Sequence, residues 1–283
     1  MFNIKLEENA GAAYLEALDA LKRILDGEGS YKNYRAYVLN LHSSLELFFK
    51  KKLYDHNEFM LFSFVDYKNL IGKYKKAFDA NKTLFEYVDM AKTPLPHTVT
   101  FIDAVERLSY LYKESEFTAN YIAKLKSLNT LRNNIMHFEL NIEDDQLVLL
   151  NELFGTCTDY YSEYLEWGYT IPIDLDILED KNLNIRTTII RDKFNFQLLK
   201  NLDDNHNSLV DDFLDFNFLA DALITGDNYP PKDRDKLVAR LQIFENADFF
   251  EYGSAGGEHW DVGWFYLSDM CRKLMKSCVE ENK

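Results

Sequence analysis

Apolar side chains recur along the first half of the chain at spacings of three and four, which places them on single faces of successive helices. From 6 to 25, Tyr14, Leu15, Leu18, Leu21 and Leu25 form one such stripe, and Gly27 and Gly29 end it. From 34 to 53, Tyr34, Val38, Leu41, Leu45, Phe48 and Phe49 line up in the same way. Residues 59–90 predict one or two further helices, and Pro94 and Pro96 make 92–98 a loop. Thr100, with Asp103 three residues on, opens a helix reaching to about Tyr112. The next helix runs over 117–138 with Tyr121, Leu125, Leu128, Leu131, Ile135 and Phe138 on its apolar side. A polar link over 141–145 and a long helix over 146–167 follow.

Gly168 and Pro172 mark a change of character. The β-branched run Ile185–Ile190 predicts a strand. Residues 198–223 predict an acidic helix, Tyr229-Pro230-Pro231 a break, and 233–245 another helix. Residues 247–267 predict a hairpin around Gly253, Gly256 and Gly257, and 268–278 a closing helix. The expected fold class is therefore mainly α: an antiparallel helical domain over 1–168, then an acidic α+β domain over 169–283. Helix, hairpin and helix in that order resemble the tail of a winged-helix domain. The candidate wing, GSAGGEHWD, carries no Lys or Arg, so no DNA contact through it is expected.

Composition supports long helices: 11 Gly and 5 Pro in 283 residues are too few for a turn-rich β fold. The net charge of −15 excludes a protein that coats nucleic acid nonspecifically. The charge is uneven, however. Residues 32–137 hold 16 Lys/Arg against 11 Asp/Glu, whereas 168–283 hold 13 against 22. Any nucleic-acid contact is thus expected in the first half, with Lys50, Lys51, Lys52, Lys124 and Lys126 as candidates and Lys73, Lys75 and Lys76 as a second basic run. Three cysteines, Cys157, Cys271 and Cys278, make no paired framework. The first residues show no basic region followed by an apolar run, and no stretch approaches the ~20 apolar residues of a membrane span. A cytoplasmic protein without membrane partners is expected.

The six histidines show no metal-ligand spacing, and no phosphate loop or nucleophile elbow is present, so neither metal nor cofactor is expected. The residues that remain are Arg132, Asn133 and His137. Relative to Leu128, Asn133 and His137 point about 140° and about 180° away from the apolar stripe, and Arg132 stands at its margin, at about 40°. On the earlier helix, His42 and Glu46 are i, i+4 neighbours at a stripe edge. A carboxylate there is costly to bury unpaired, and Arg132 is its expected partner.

The stretch LNLHSSLELFFKKKL, followed about 80 residues later by LKSLNTLRNNIMHFEL and a long helix, resembles the HEPN superfamily of helical domains. That family carries Arg, a polar residue, three variable residues and His near the end of a late core helix, the pattern of Arg132, Asn133 and His137. The resemblance covers roughly residues 1–168. It implies a metal-independent endoribonuclease that acts as a homodimer, using the RNA 2′-hydroxyl, in the role of a toxin or antiviral effector held off by an antitoxin or other regulatory partner. Histidine can supply or take a proton near neutral pH. One His137 per chain cannot act as both base and acid, and two copies across a twofold groove could. Arg132 would stabilise phosphate charge, Asn133 would orient the His137 ring, and His42 and Glu46 would support the site. The alternative that the resemblance allows is a non-catalytic HEPN dimerisation scaffold.

Overall fold

The structure, a computed structural model, describes residues 5–64, 67–84, 87, 97–137, 142–165, 175–204, 216–225, 233–257 and 260–280. The Pro94–Pro96 loop, Phe138, the Gly168 and Pro172 boundary, the Pro230–Pro231 break, His206 and His259 lie outside them.

Helix starts and stops follow local chemistry. Helix α1 (Leu6–Leu25) ends before Gly27, whose φ of 90° glycine adopts without strain. Helix α2 (Tyr31–His56) opens where the Ser30 hydroxyl accepts a hydrogen bond from the Asn33 amide. A 3-10 turn (Glu58–Leu61) leads to α3 (Tyr67–Asp79). The Thr100 and Asp103 pair forms the reciprocal cap, each amide donating to the other side chain at 3.2 Å, and starts α4 (Phe101–Glu106). The chain then widens into a π turn (Arg107–Leu111), which Arg107 ties down by donating to the Met60 and Phe62 carbonyls.

Helices α5 (Ala119–His137) and α6 (Asp144–Tyr164) complete the first half. The second half holds α7 (Leu175–Arg191), α8 (Lys193–Asp204), α9 (Phe216–Thr225) and α10 (Arg234–Asn246). The hairpin β1 (Phe250–Gly257) and β2 (Trp260–Leu267) and the closing helix α11 (Asp269–Glu280) follow. The molecule is thus mainly α, with eleven α-helices and one two-stranded antiparallel sheet among the described residues. The hairpin pairs Phe250 with Leu267 and Gly257 with Trp260, where the sequence predicts it.

The first core joins α1, α2, α4, α5 and α6. Its centre is aromatic: Tyr14 stacks on Phe154 at 5.3 Å, Tyr37 packs on the same ring at 6.0 Å, and the Tyr14 hydroxyl pairs with Thr158 Oγ1 at 2.9 Å. Burial pushes the Cys157 thiol up to about 12, so that cysteine is an inert packing group. The second core gathers Leu198, Leu199, Leu237, Leu241, Phe244, Phe249, Phe250 and Leu267.

The strand expected at Ile185–Ile190 is a correction: these residues form the last turns of α7. Leu178, Asn182 and Ile190 are buried at helical spacing, and the Thr187 and Thr188 hydroxyls donate back to the Leu183 and Asn184 carbonyls. Tertiary burial of that i, i+4 line outweighs a weak local strand preference. Helix α7, wholly on the C-terminal side of the expected division, nonetheless gives Leu178 to the first core and Ile190 to the second.

A polar cluster fastens the second half to α5 and α6. Lys124 Nζ lies 2.6 Å from Glu152 Oε2 and 2.6 Å from Asp248 Oδ1. Arg186 pairs with Glu152 and donates to the Ala247 carbonyl at 2.8 Å. Asn120 donates to Asp248 at 3.0 Å, and the buried Asp145 accepts from Asn246 at 2.7 Å. Burial raises the Glu152 carboxyl against the pull of Lys124. Burial works on Asp248 in the same direction, but Lys124, Asn120 and Arg186 more than reverse it and leave it low. Removing one member strands a shielded charge, so Arg186→Ala should cost roughly 2–4 kcal/mol in denaturant unfolding. A loss no larger than that of an exposed arginine, such as Arg23→Ala, would show the cluster to be energetically idle.

Candidate functional site

Helix α5 presents a different surface on each side. Leu125, Leu128, Leu131 and Ile135 face the first core. Asn120, Lys124 and Ser127 meet the second half, Ser127 through Gln242. Asn129, Arg132 and Met136 run along α2. The pairing there is antiparallel, since Arg35 donates to Met136 Sδ at 3.8 Å and His42 Nε2 lies 3.2 Å from Asn129 Oδ1. Lys126, Thr130, Asn133 and His137 form the remaining, exposed side.

The structure brings most of the sequence candidates to this seam but changes their partners. Arg132 Nη1 donates to Asn133 Oδ1 at 3.0 Å. The expectation that Arg132 neutralises Glu46 is corrected: Glu46 Oε1 takes Lys50 Nζ at 2.6 Å, one turn on along α2, and His42 Nδ1 stands 3.7 Å from its other oxygen. No ion pair joins Arg132 to Glu46 among the described residues. Lys50 also donates to Thr98 Oγ1 at 3.2 Å.

His42 is buried against the Phe101 ring, 4.4 Å between centroids. Burial lowers its imidazole below the ordinary value. The Asn129 hydrogen bond and the Glu46 carboxylate oppose that lowering, while Arg132 and Lys50 add to it. It is therefore a neutral ring, oriented by Asn129 and close enough to Arg132 to feel its charge. His137, by contrast, is exposed at the last position of α5.

Four of the five lysines named as RNA-binding candidates form ion pairs within the chain. Lys50 is buried in the Glu46 and Thr98 cluster. Lys51 pairs with Asp55 at 2.5 Å and lies over the Tyr164 ring. Lys52 pairs with Glu116 at 2.8 Å over Tyr160, and Lys124 belongs to the cluster that holds the second half. Lys126 alone of the five is exposed on the His137 side of α5. The residue that sequence reasoning passed over is Asn129. Its signal was its spacing, one turn before Arg132 and on the same side of the helix.

Among the described residues no three His, Cys, Asp or Glu side chains are grouped to hold a metal ion, and no helix is long and apolar enough to cross a membrane. Compared with family models, curated proteins and solved structures, the chain matches none of them.

The lowered His42 value fixes a sign. The folded state holds this ring neutral, so the unfolded chain takes up the extra proton once pH falls below 6.5. Wild type should therefore lose more stability than His42→Gln between about pH 8 and about pH 5.5 in denaturant titrations. Identical slopes for the two proteins would show that His42 does not titrate abnormally.

Proposed function

We propose that the chain is a metal-independent endoribonuclease of HEPN type, acting as a homodimer. The observation that carries this reading is the placement of Arg132, Asn133 and His137 at one end of α5. The described part of the second half packs on a different flank of that helix. Arg35, exposed beside Met136, adds a second guanidinium to the same end.

The chemistry divides between two copies. One His137 takes the proton from the ribose 2′-hydroxyl as its oxygen attacks phosphorus. The bond to the 5′-oxygen breaks, and the second His137 protonates that leaving oxygen. The products are a 2′,3′-cyclic phosphate and a free 5′-hydroxyl. Arg132, held in direction by Asn133, stabilises the charge that builds on the non-bridging oxygens. His42, hydrogen-bonded to Asn129 and within reach of the Arg132 charge, acts as a positioning residue. In a cell such an activity needs restraint, and the acidic second half is the surface on which an antitoxin or regulatory partner would act. The reading places the protein in the cytoplasm.

A specific observation also favours a non-catalytic helical scaffold: four of the five expected RNA-binding lysines are internally paired. The two readings separate in one assay. The ribonuclease should cut single-stranded RNA in EDTA and leave cyclic ends, with His137→Ala lowering the rate by about 100-fold or more and Arg132→Ala by about 100-fold. Equal cleavage by wild type and His137→Ala, or none by either, would remove the catalytic reading.

A further inference from the structure

Arg35 stands on α2 at the end of the seam where α5 finishes with Met136 and His137. Most arginines of the chain are answered from within. Arg23, Arg186, Arg234 and Arg272 each meet a carboxylate, and Arg107 donates to the Met60 and Phe62 carbonyls. Arg35 is exposed and donates to Met136 Sδ at 3.8 Å, a weak acceptor that leaves its charge unopposed. Arg132 is in the same condition, since its contact is the neutral Asn133 amide oxygen. Neither forms an ion pair among the described residues. In a chain of 47 acidic against 32 basic side chains, acid is in surplus, yet it is kept from both guanidiniums.

The seam sets their spacing. The contacts of Arg35 with Met136 and of His42 with Asn129 are seven positions apart on each helix, 35 to 42 and 129 to 136. The two helices therefore run in step over about two turns. Arg132 lies between the two contacts, four positions before Met136. Its backbone is thus about 6 Å along the seam from the level of Arg35.

Two unopposed guanidiniums at this spacing favour an anion with more than one charged centre. Each offers a flat fork of N–H donors that suits the two non-bridging oxygens of a phosphodiester. A nucleic-acid strand, with a phosphate at every nucleotide, satisfies both forks at once, one phosphate to each.

We propose that Arg35 binds the RNA phosphate next to the one that is cut, so that the site requires a nucleotide beyond the two joined by the scissile bond. The inference deepens the ribonuclease reading and rests on it for the identity of the strand and for Arg132 at the scissile phosphate. Arg35 is a binding residue and takes no part in proton transfer.

The test uses the full chain and a 2′-O-methyl RNA of about eight nucleotides with one unmodified ribose, so that a single phosphate can be cut. Arg35→Gln should raise KM about tenfold and leave kcat within about twofold of wild type. A neutral methylphosphonate at one of the two phosphates flanking the cut should do the same to wild type. The two changes together should be no worse than either alone. Arg35→Lys, which keeps the charge and loses the fork, should recover part of the loss. Binding is read separately by anisotropy on a fluorescein-labelled, fully 2′-O-methylated strand. There Arg35→Gln should weaken affinity about tenfold and flatten the slope of log affinity against log salt by about 0.7.

Cleavage and binding by Arg35→Gln equal to those of wild type overturn the proposal and leave the ribonuclease standing. Full additivity with the methylphosphonate at both flanking positions also overturns it. So does loss of the dimer in Arg35→Gln by sedimentation, which would make Arg35 a contact between copies. Weakened binding in Arg35→Gln by a protein that cuts no RNA upholds the phosphate contact while the ribonuclease reading falls. A wild type that binds no RNA removes both.

Discussion

Burial of Leu125, Leu128, Leu131 and Ile135 fixes the rotation of α5, and that rotation decides where every other residue of the helix points. With the leucines inward, Lys124 and Ser127 meet the second half and Asn129 and Arg132 meet α2. Asn133 and His137 are left on the outer side. A turn of the helix by one position would carry Asn133 towards the core and turn Leu131 out of it. The apolar stripe is thus a positioning device for the polar residues as much as a source of stability.

Two shielded carboxylates are held by flanking cationic side chains. Glu46 sits between His42 and Lys50, and Glu152 between Lys124 and Arg186. The two groups differ in reach. The first is local to one helix, its members one turn apart. The second draws on α5, α6, α7 and the turn after α10, and so its formation requires both halves to be docked. Their consequences follow from this: the local group fixes a site, and the distant group fixes an arrangement of the fold.

The helical stripes, the Thr100 and Asp103 cap and the terminal hairpin were legible in the sequence because each is a short-range pattern with one structural solution. Ile185–Ile190 was not, because the burial of Asn182 and Ile190 that makes it helical depends on neighbours far away in sequence. The lysine run divides in the same way. The pairings of Lys50 with Glu46 and Lys51 with Asp55 are i, i+4 and could have been read from spacing alone. That of Lys52 with Glu116 crosses 64 positions and could not. Asn129 was readable as a neighbour of Arg132. Its contact with His42 needed the antiparallel seam of α2 and α5.

Helix α7 deserves a mechanical view, since it lends Leu178 to one core and Ile190 to the other. The twelve-position step between them spans about 18 Å of continuous helix. A stiff rod embedded at both ends transmits torque as well as tension, which a loose tether does not. Reorientation of the acidic half would accordingly lever Asn182 against Asn151 and carry displacement to the packing of α6, making the two cores parts of one jointed frame.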